Sequence, residues 1–143
     1  RESRGRALGS RVKECILLGN LFLSGDGGED YHQKALQARE LILQGFEDVF
    51  TCCDMILSPT APRTVGEKPG DLLELYQQSI FTAPASLAGL PAVTIPCGLD
   101  AKGIPMGFQL TGKPFGEGEL IAMSHGYQNA TDFHLRIPGE VGE

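Results

Sequence analysis

Ala92-Val93-Thr94-Ile95 and Met106-Gly107-Phe108-Gln109-Leu110, joined through Asp100-Ala101-Lys102-Gly103, decide the architecture of this chain. Residues 92–95 form a run delimited by Pro91 and Pro96, which reads as a strand. Residues 106–110 read as another, and so short a connection suits an antiparallel hairpin. Gly103 stands where such a turn needs a positive φ. Upstream, Met55-Ile56-Leu57 lies between Asp54 and Pro59. It is too short for a helix and is expected to be a strand buried on both faces.

Helical signals surround these strands. Residues 116–130 present Leu120, Ile121, Met123 and Tyr127 and read as a final helix. Residues 71–78 suggest a short helix and residues 84–90 one or two turns more. The strongest helical periodicity runs from Tyr31 through Ala35, Ala38, Leu41, Ile42, Gly45, Phe46 and Val49 to Phe50, with Asp30 as its expected cap. Before it, Gly25-Asp26-Gly27-Gly28 signals a loop, and Val12, Ile16, Leu17, Phe22 and Leu23 fit a first helix ending near Gly25. Residues 58–70 carry Pro59, Pro62 and Pro69 and read as a loop. The order helix, helix, strand, helix, hairpin, helix gives an α/β class. Three strands are few beside such long helices, so the sheet is expected to be part of a larger one. The expected organisation is one domain portion over residues 1–143, with frayed ends at 1–10 and 138–143.

The chain has 143 residues, 41% of them hydrophobic, and a net charge of −6. No apolar run approaches the roughly 20 residues of a membrane-spanning helix. Arg1, Arg4, Arg6, Arg11 and Lys13 are the one basic cluster and flank a helix start. A nucleic-acid footprint needs more clustered positive charge, so direct nucleic-acid contact is not expected. Cys15, Cys52, Cys53 and Cys97 lack the spacing of a disulfide framework or a structural zinc site, and are expected to be reduced and mostly buried. This usage points to the cytoplasm.

No complete active site is legible. His32, His125 and His134 share no metal-ligand spacing, and neither a G-x-S-x-G elbow nor a phosphate-binding glycine loop is present. Asp71 follows Pro69-Gly70 at a helix start. It suits an N-cap, and equally a carboxylate that captures an ammonium group.

Three blocks carry a resemblance. Residues 81–98, Phe-Thr-Ala-Pro-Ala-Ser-Leu-Ala-Gly-Leu-Pro-Ala-Val-Thr-Ile-Pro-Cys-Gly, resemble the T-x-P-x-N-L-A-G-L-P-A block of the amidase-signature family. Residues 103–115, from Gly103-Ile104-Pro105 to Pro114-Phe115, are similar to its G-L-P-x-G-x-Q-x-x-G-x-x-F. Asp54-Met55-Ile56-Leu57-Ser58-Pro59-Thr60-Ala61-Pro62 resembles its D-x-x-x-x-P-T-x-P. Val12-Lys13, the run from Ile16 to Gly19, Tyr31 to Lys34, Ala38-Arg39 with Leu41-Ile42, and Gly66-Glu67-Lys68 before Asp71 are similar to the branch that hydrolyses glutamine for tRNA-dependent amidotransferases.

That resemblance implies the C-terminal portion of a mixed central sheet covered by helices. It implies a Ser-cisSer-Lys triad carried by the family's other half, so no catalytic residue is expected here and the chain alone should be inactive. It also implies partner subunits B and C, with ATP and magnesium (Mg) held by the partner, tRNA met only through the partner, and glutamine as substrate. Asp71 matches the residue expected to hold the substrate ammonium. The arginine expected on the carboxylate falls at Cys15, and Ser86 stands where the family usually has Asn. Cysteine cannot make the bidentate contact. A different small-amide hydrolase, or a noncatalytic relative kept as a binding module, are the competing expectations.

Overall fold

A computed structural model describes residues 8–24, 28–62 and 72–136. Asp71, most of the proline loop, Gly25 to Gly27 and the chain ends lie outside the described residues. The chain divides into two units, residues 1–41 and 42–143.

In the first unit, α1 spans Ser10–Leu23, and α2, Gly28–Val49, begins. Gly9 precedes α1 in extended conformation, and its carbonyl accepts the Lys13 amide at 3.2 Å. Arg11 pairs with Glu14 at 3.3 Å. The helix stops directly after its last apolar pair, where Ser24 is extended and its hydroxyl donates to the Leu21 carbonyl at 2.8 Å. No residue of α1 is buried. Phe22 and Tyr31 meet with ring centroids 5.6 Å apart.

Asp30 does not cap α2, because the helix starts at Gly28 and places Asp30 inside the first turn. There a carboxylate faces the positive end of the helix dipole. It also accepts from Lys34 one turn on, at 2.7 Å.

In the second unit, α2 ends with the stacked rings of Phe46 and Phe50, 6.3 Å apart. It is followed by β1 (Met55–Pro59), α3 (Leu72–Gln78), α4 (Ala83–Ala88), β2 (Ala92–Leu99), β3 (Pro105–Gly112), α5 (Glu117–Ala130) and a 3-10 turn at Phe133–Leu135. The described sheet has order β1-β3-β2, antiparallel throughout. Met55 faces Gly112 and Leu57 faces Leu110 on one side of β3, while Val93 faces Leu110 on the other.

Two strand expectations need correction. β1 is not buried on both faces: Leu57 is 66% exposed. In the described sheet it is an edge strand, and α5 packs on β2 and β3 instead. β2 does not stop at Pro96 but runs to Leu99 through a bulge between Pro96 and Gly98. An edge strand tolerates proline, since the missing N–H is not needed on its open side. The hairpin turn forms as the sequence indicates. Gly103 has φ 78°, and the Asp100 carboxylate accepts the Lys102 and Ile104 amides at 2.8 and 2.9 Å.

The core lies between the sheet and α5, where Ile95, Leu110 and Leu120 are buried with Met55, Val93, Phe108 and Tyr127 around them. Phe108 and Tyr127 meet edge to face at 5.0 Å. A Cβ on Gly112 would lie 3.1 Å from the Leu120 side chain, so the glycine lets α5 approach the strand closely. Among the described residues, no helix is long and apolar enough to cross a membrane.

Candidate functional site: the polar face of the sheet

Alternation along β3 sends Phe108 and Leu110 toward α5, and Gly107, Gln109 and Thr111 to the opposite face. Register adds Ser58 from β1 and Ala92 and Thr94 from β2 to that second face. Gln109 is 4% exposed and Thr111 2%. Burying such groups is costly unless they are hydrogen-bonded. The Gln109 amide donates to the Phe81 carbonyl at 3.1 Å and to the Thr111 hydroxyl at 3.3 Å. One side chain thus ties the middle strand to the segment that leads into α4.

That segment is tightly wound. The Ser79 carbonyl accepts the amides of Thr82 and Ala83 at 3.0 and 2.8 Å. Ala85 and Ala88 are buried and Ser86 is exposed, so alanines pack the inner side of α4. Gly89 closes the helix at φ 73°, a left-handed conformation that costs glycine little.

At the far end of the same face, the Thr60 amide donates to the Gly107 carbonyl at 3.3 Å. The Thr60 hydroxyl is enclosed without a hydrogen-bond partner among the described residues. A Cβ on Gly107 would meet Thr94 at 3.1 Å, the Ile95 carbonyl at 3.2 Å and the Thr60 hydroxyl at 3.4 Å. A side chain at Gly107 would therefore crowd β2 first and the Thr60 hydroxyl less.

A second polar feature sits where β1 begins and β3 ends. Lys113 and Asp54 pair at 2.8 Å beside an open hollow of about 480 Å³ that Met55, Glu119 and Met123 also line. The hydrogen bond from Lys113, helped by its charge, holds the Asp54 carboxyl below its ordinary value. The same bond raises Lys113 above its ordinary value.

Of the two residues singled out for substrate contact, Cys15 sits on the exposed surface of α1, and Asp71 lies outside the described residues. The thiols are not buried as expected: Cys15 and Cys52 are exposed, and Cys53 and Cys97 are half-buried. Cys15 belongs to a helix with no buried residue, and Cys52 to a surface turn. His32 and His125 occupy helices, His134 lies in the 3-10 turn, and all three are exposed. Among the described residues, no three His, Cys, Asp or Glu side chains gather as a metal site. Sequence reasoning misses the buried pair Gln109 and Thr111, although its alternation with Phe108 and Leu110 is visible. The Asp54–Lys113 pair spans 59 residues and leaves no local signal.

These contacts tie β3 to the chain segments that cover it. A family model described as Amidase matches residues 1–121. The chain is 41% identical over 140 residues to the A subunit of glutamyl-tRNA(Gln) amidotransferase from Thiobacillus denitrificans, covering 96% of this chain and 29% of that protein. It is 44% identical over 144 residues to the corresponding A subunit from Desulforudis audaxviator, covering 99% of this chain and again 29% of that protein. The crystal structure of the glutamyl-tRNA(Gln) amidotransferase A subunit from Thermotoga maritima matches with TM-score 0.62 and 36% identity, over 83% of this chain and 27% of that one. The chain therefore spans about 29% of the length of these curated relatives.

Proposed function

This chain belongs to the amidase family, and from that premise we propose that it is the C-terminal portion of the glutamine-hydrolysing A subunit of a tRNA-dependent amidotransferase. Identity of 41–44% across nearly the whole chain carries this reading. The whole subunit frees ammonia from glutamine, and its partner uses that ammonia to convert Glu-tRNA(Gln) to Gln-tRNA(Gln). The partners are subunits B and C. ATP and Mg are bound by the partner, which also makes the tRNA contact, and the assembly works in the cytoplasm. These relatives are all A subunits, so a hydrolase of other small amides has less support.

Within this function the chain contributes pocket wall. Gln109 holds the backbone at Phe81, and the Gly107 carbonyl holds the Thr60 amide against β3. Asp71 takes the substrate ammonium, a charge-assisted bond worth about 1.5–3 kcal/mol. Cys15 occupies the carboxylate-binding position without arginine's planar donors, so substrate affinity there is weaker than an arginine would give.

The test uses the full-length parent assembled with its partners. It should form Gln-tRNA(Gln) with glutamine as nitrogen donor. Asp71→Asn should raise KM for glutamine by about tenfold or more, since about 1.4 kcal/mol is one decade, with little change in Tm. Cys15→Arg should improve kcat/KM for glutamine and leave propionamide, which has no carboxylate, unaffected. A parent that hydrolyses propionamide but releases no ammonia from glutamine overturns the proposal.

A further inference from the structure

The Asp54–Lys113 hollow is bordered in sequence by two adjacent cysteines, Cys52 and Cys53, both free. Adjacent side chains in an extended chain point to opposite faces. Here the chain is leaving α2 through a tight turn, in which the Thr51 amide donates to the Asp48 carbonyl at 3.2 Å and the Cys52 amide to the Val49 carbonyl at 3.1 Å. That turn brings both thiols to one acceptor. The Cys52 thiol donates to the Val49 carbonyl at 3.1 Å, and the Cys53 thiol to the same carbonyl at 3.4 Å. The sulfurs are therefore neighbours, no further apart than those two distances allow together. Cys52 is exposed and Cys53 is half-buried, so the pair can be reached from solvent.

The pair is poorly suited to closing on itself. Consecutive Cα atoms stand about 3.8 Å apart across a trans peptide, short of the roughly 4.4–6.8 Å that disulfides favour. It is also too small for a structural zinc site, which takes four ligands, and no group of three metal-binding side chains occurs among the described residues. A soft centre that needs only two thiolates is the remaining match.

We infer that Cys52 and Cys53 form a vicinal-dithiol site that captures trivalent organoarsenicals. The arsenic of an arsine oxide carries one carbon substituent and one oxygen. Both thiols add to it, two S–H bonds break and two As–S bonds form. The oxygen leaves with the two protons as one water. Arsenic and sulfur keep their oxidation states, so no oxidant or reductant is required. Asp54, the next residue after Cys53, holds the Lys113 ammonium at 2.8 Å.

The probe is phenylarsine oxide, added to the 143-residue chain in the presence of excess glutathione, with intact mass as the readout. One phenylarsenic adduct per chain is expected, resistant to glutathione and removed by 2,3-dimercaptopropanol. Cys52→Ser and Cys53→Ser should each abolish it, while a Cys15→Ser/Cys97→Ser double variant should keep it. Because folding holds both side chains at one carbonyl, capture by urea-unfolded chain should be about tenfold weaker. An adduct that survives either single variant, that disappears from the double variant, or that binds equally tightly in urea overturns the proposal.

Discussion

Gln109 places a primary amide at a position 4% exposed and uses it on two acceptors, the Phe81 carbonyl and the Thr111 hydroxyl. Replacing it with leucine keeps bulk but leaves both groups without their donor. Gln109→Leu should cost about 1–3 kcal/mol, seen as a lower urea midpoint at unchanged slope. Thr94→Val on the same face, at an exposed position, should stay within about 0.5 kcal/mol. If the two variants unfold alike, the Gln109 network contributes nothing. This residue also marks a limit of sequence reading. Polar residues alternating with apolar ones suggest a wetted strand face, and only tertiary structure reveals that this one is covered. Asp71 is the reverse case. Its position after Pro69-Gly70 and its match to a family motif single it out, whereas a cap and a ligand contact ask for the same side chain.

Elements were more legible than their limits. The three strands and the long helix through Phe46 follow from apolar period and turn residues, and Gly103 follows from turn geometry. Properties set by neighbours are not legible in the sequence. The exposure of Leu57 depends on where α5 lies, the continuation of β2 past Pro96 depends on an open edge, and the start of α2 at Gly28 moved Asp30 off the cap. The link between β1 and β3 offers a test at this scale. Asp54 lies below its ordinary carboxyl value of 3.8 because Lys113 bonds to it, so its contribution is present above 3.8 and is lost as pH falls through the depressed value. Lys113 lies above 10.5 because Asp54 bonds to it, so its contribution is full below 10.5 and is lost as pH rises through the raised value. The Tm gap between the parent chain and Asp54→Asn should therefore be flat across neutral pH and close at both extremes. The pair is solvent-exposed, so the gap should be small and shrink in high salt. A gap that ignores both pH and salt would mean the variant acts by some route other than charge.

At the scale of the molecule, the apolar balance is unusual. Ala85, Ala88, Leu90, Ile95, Leu110 and Leu120 are the buried apolar residues among those described, while Leu57, Tyr76, Ile80, Leu87, Phe115 and Ile121 in the same unit are exposed. Phe115 is 95% exposed and held at φ 62°, a conformation uncommon outside glycine. Both outer strands of the described sheet end it with an open edge, the feature proteins usually cover or blunt. The chain by itself should self-associate, with a sedimentation coefficient that climbs as concentration rises. A sharp melt of a monomer, the same at every concentration, would count against this. The order β1-β3-β2 also carries a consequence in time. The central strand is the last of the three to be synthesised, and Met55 meets its partner only when Gly112 exists. At about 5–20 residues per second, β1 waits several seconds on the ribosome for its β3 neighbour. The hairpin of β2 and β3 closes locally and early, and β1 must then find it across the segment that carries α3 and α4. Misassembly of the nascent chain is therefore concentrated at β1, and a chaperone that shields this strand during that interval would raise the yield of folded protein more than one acting on the finished chain.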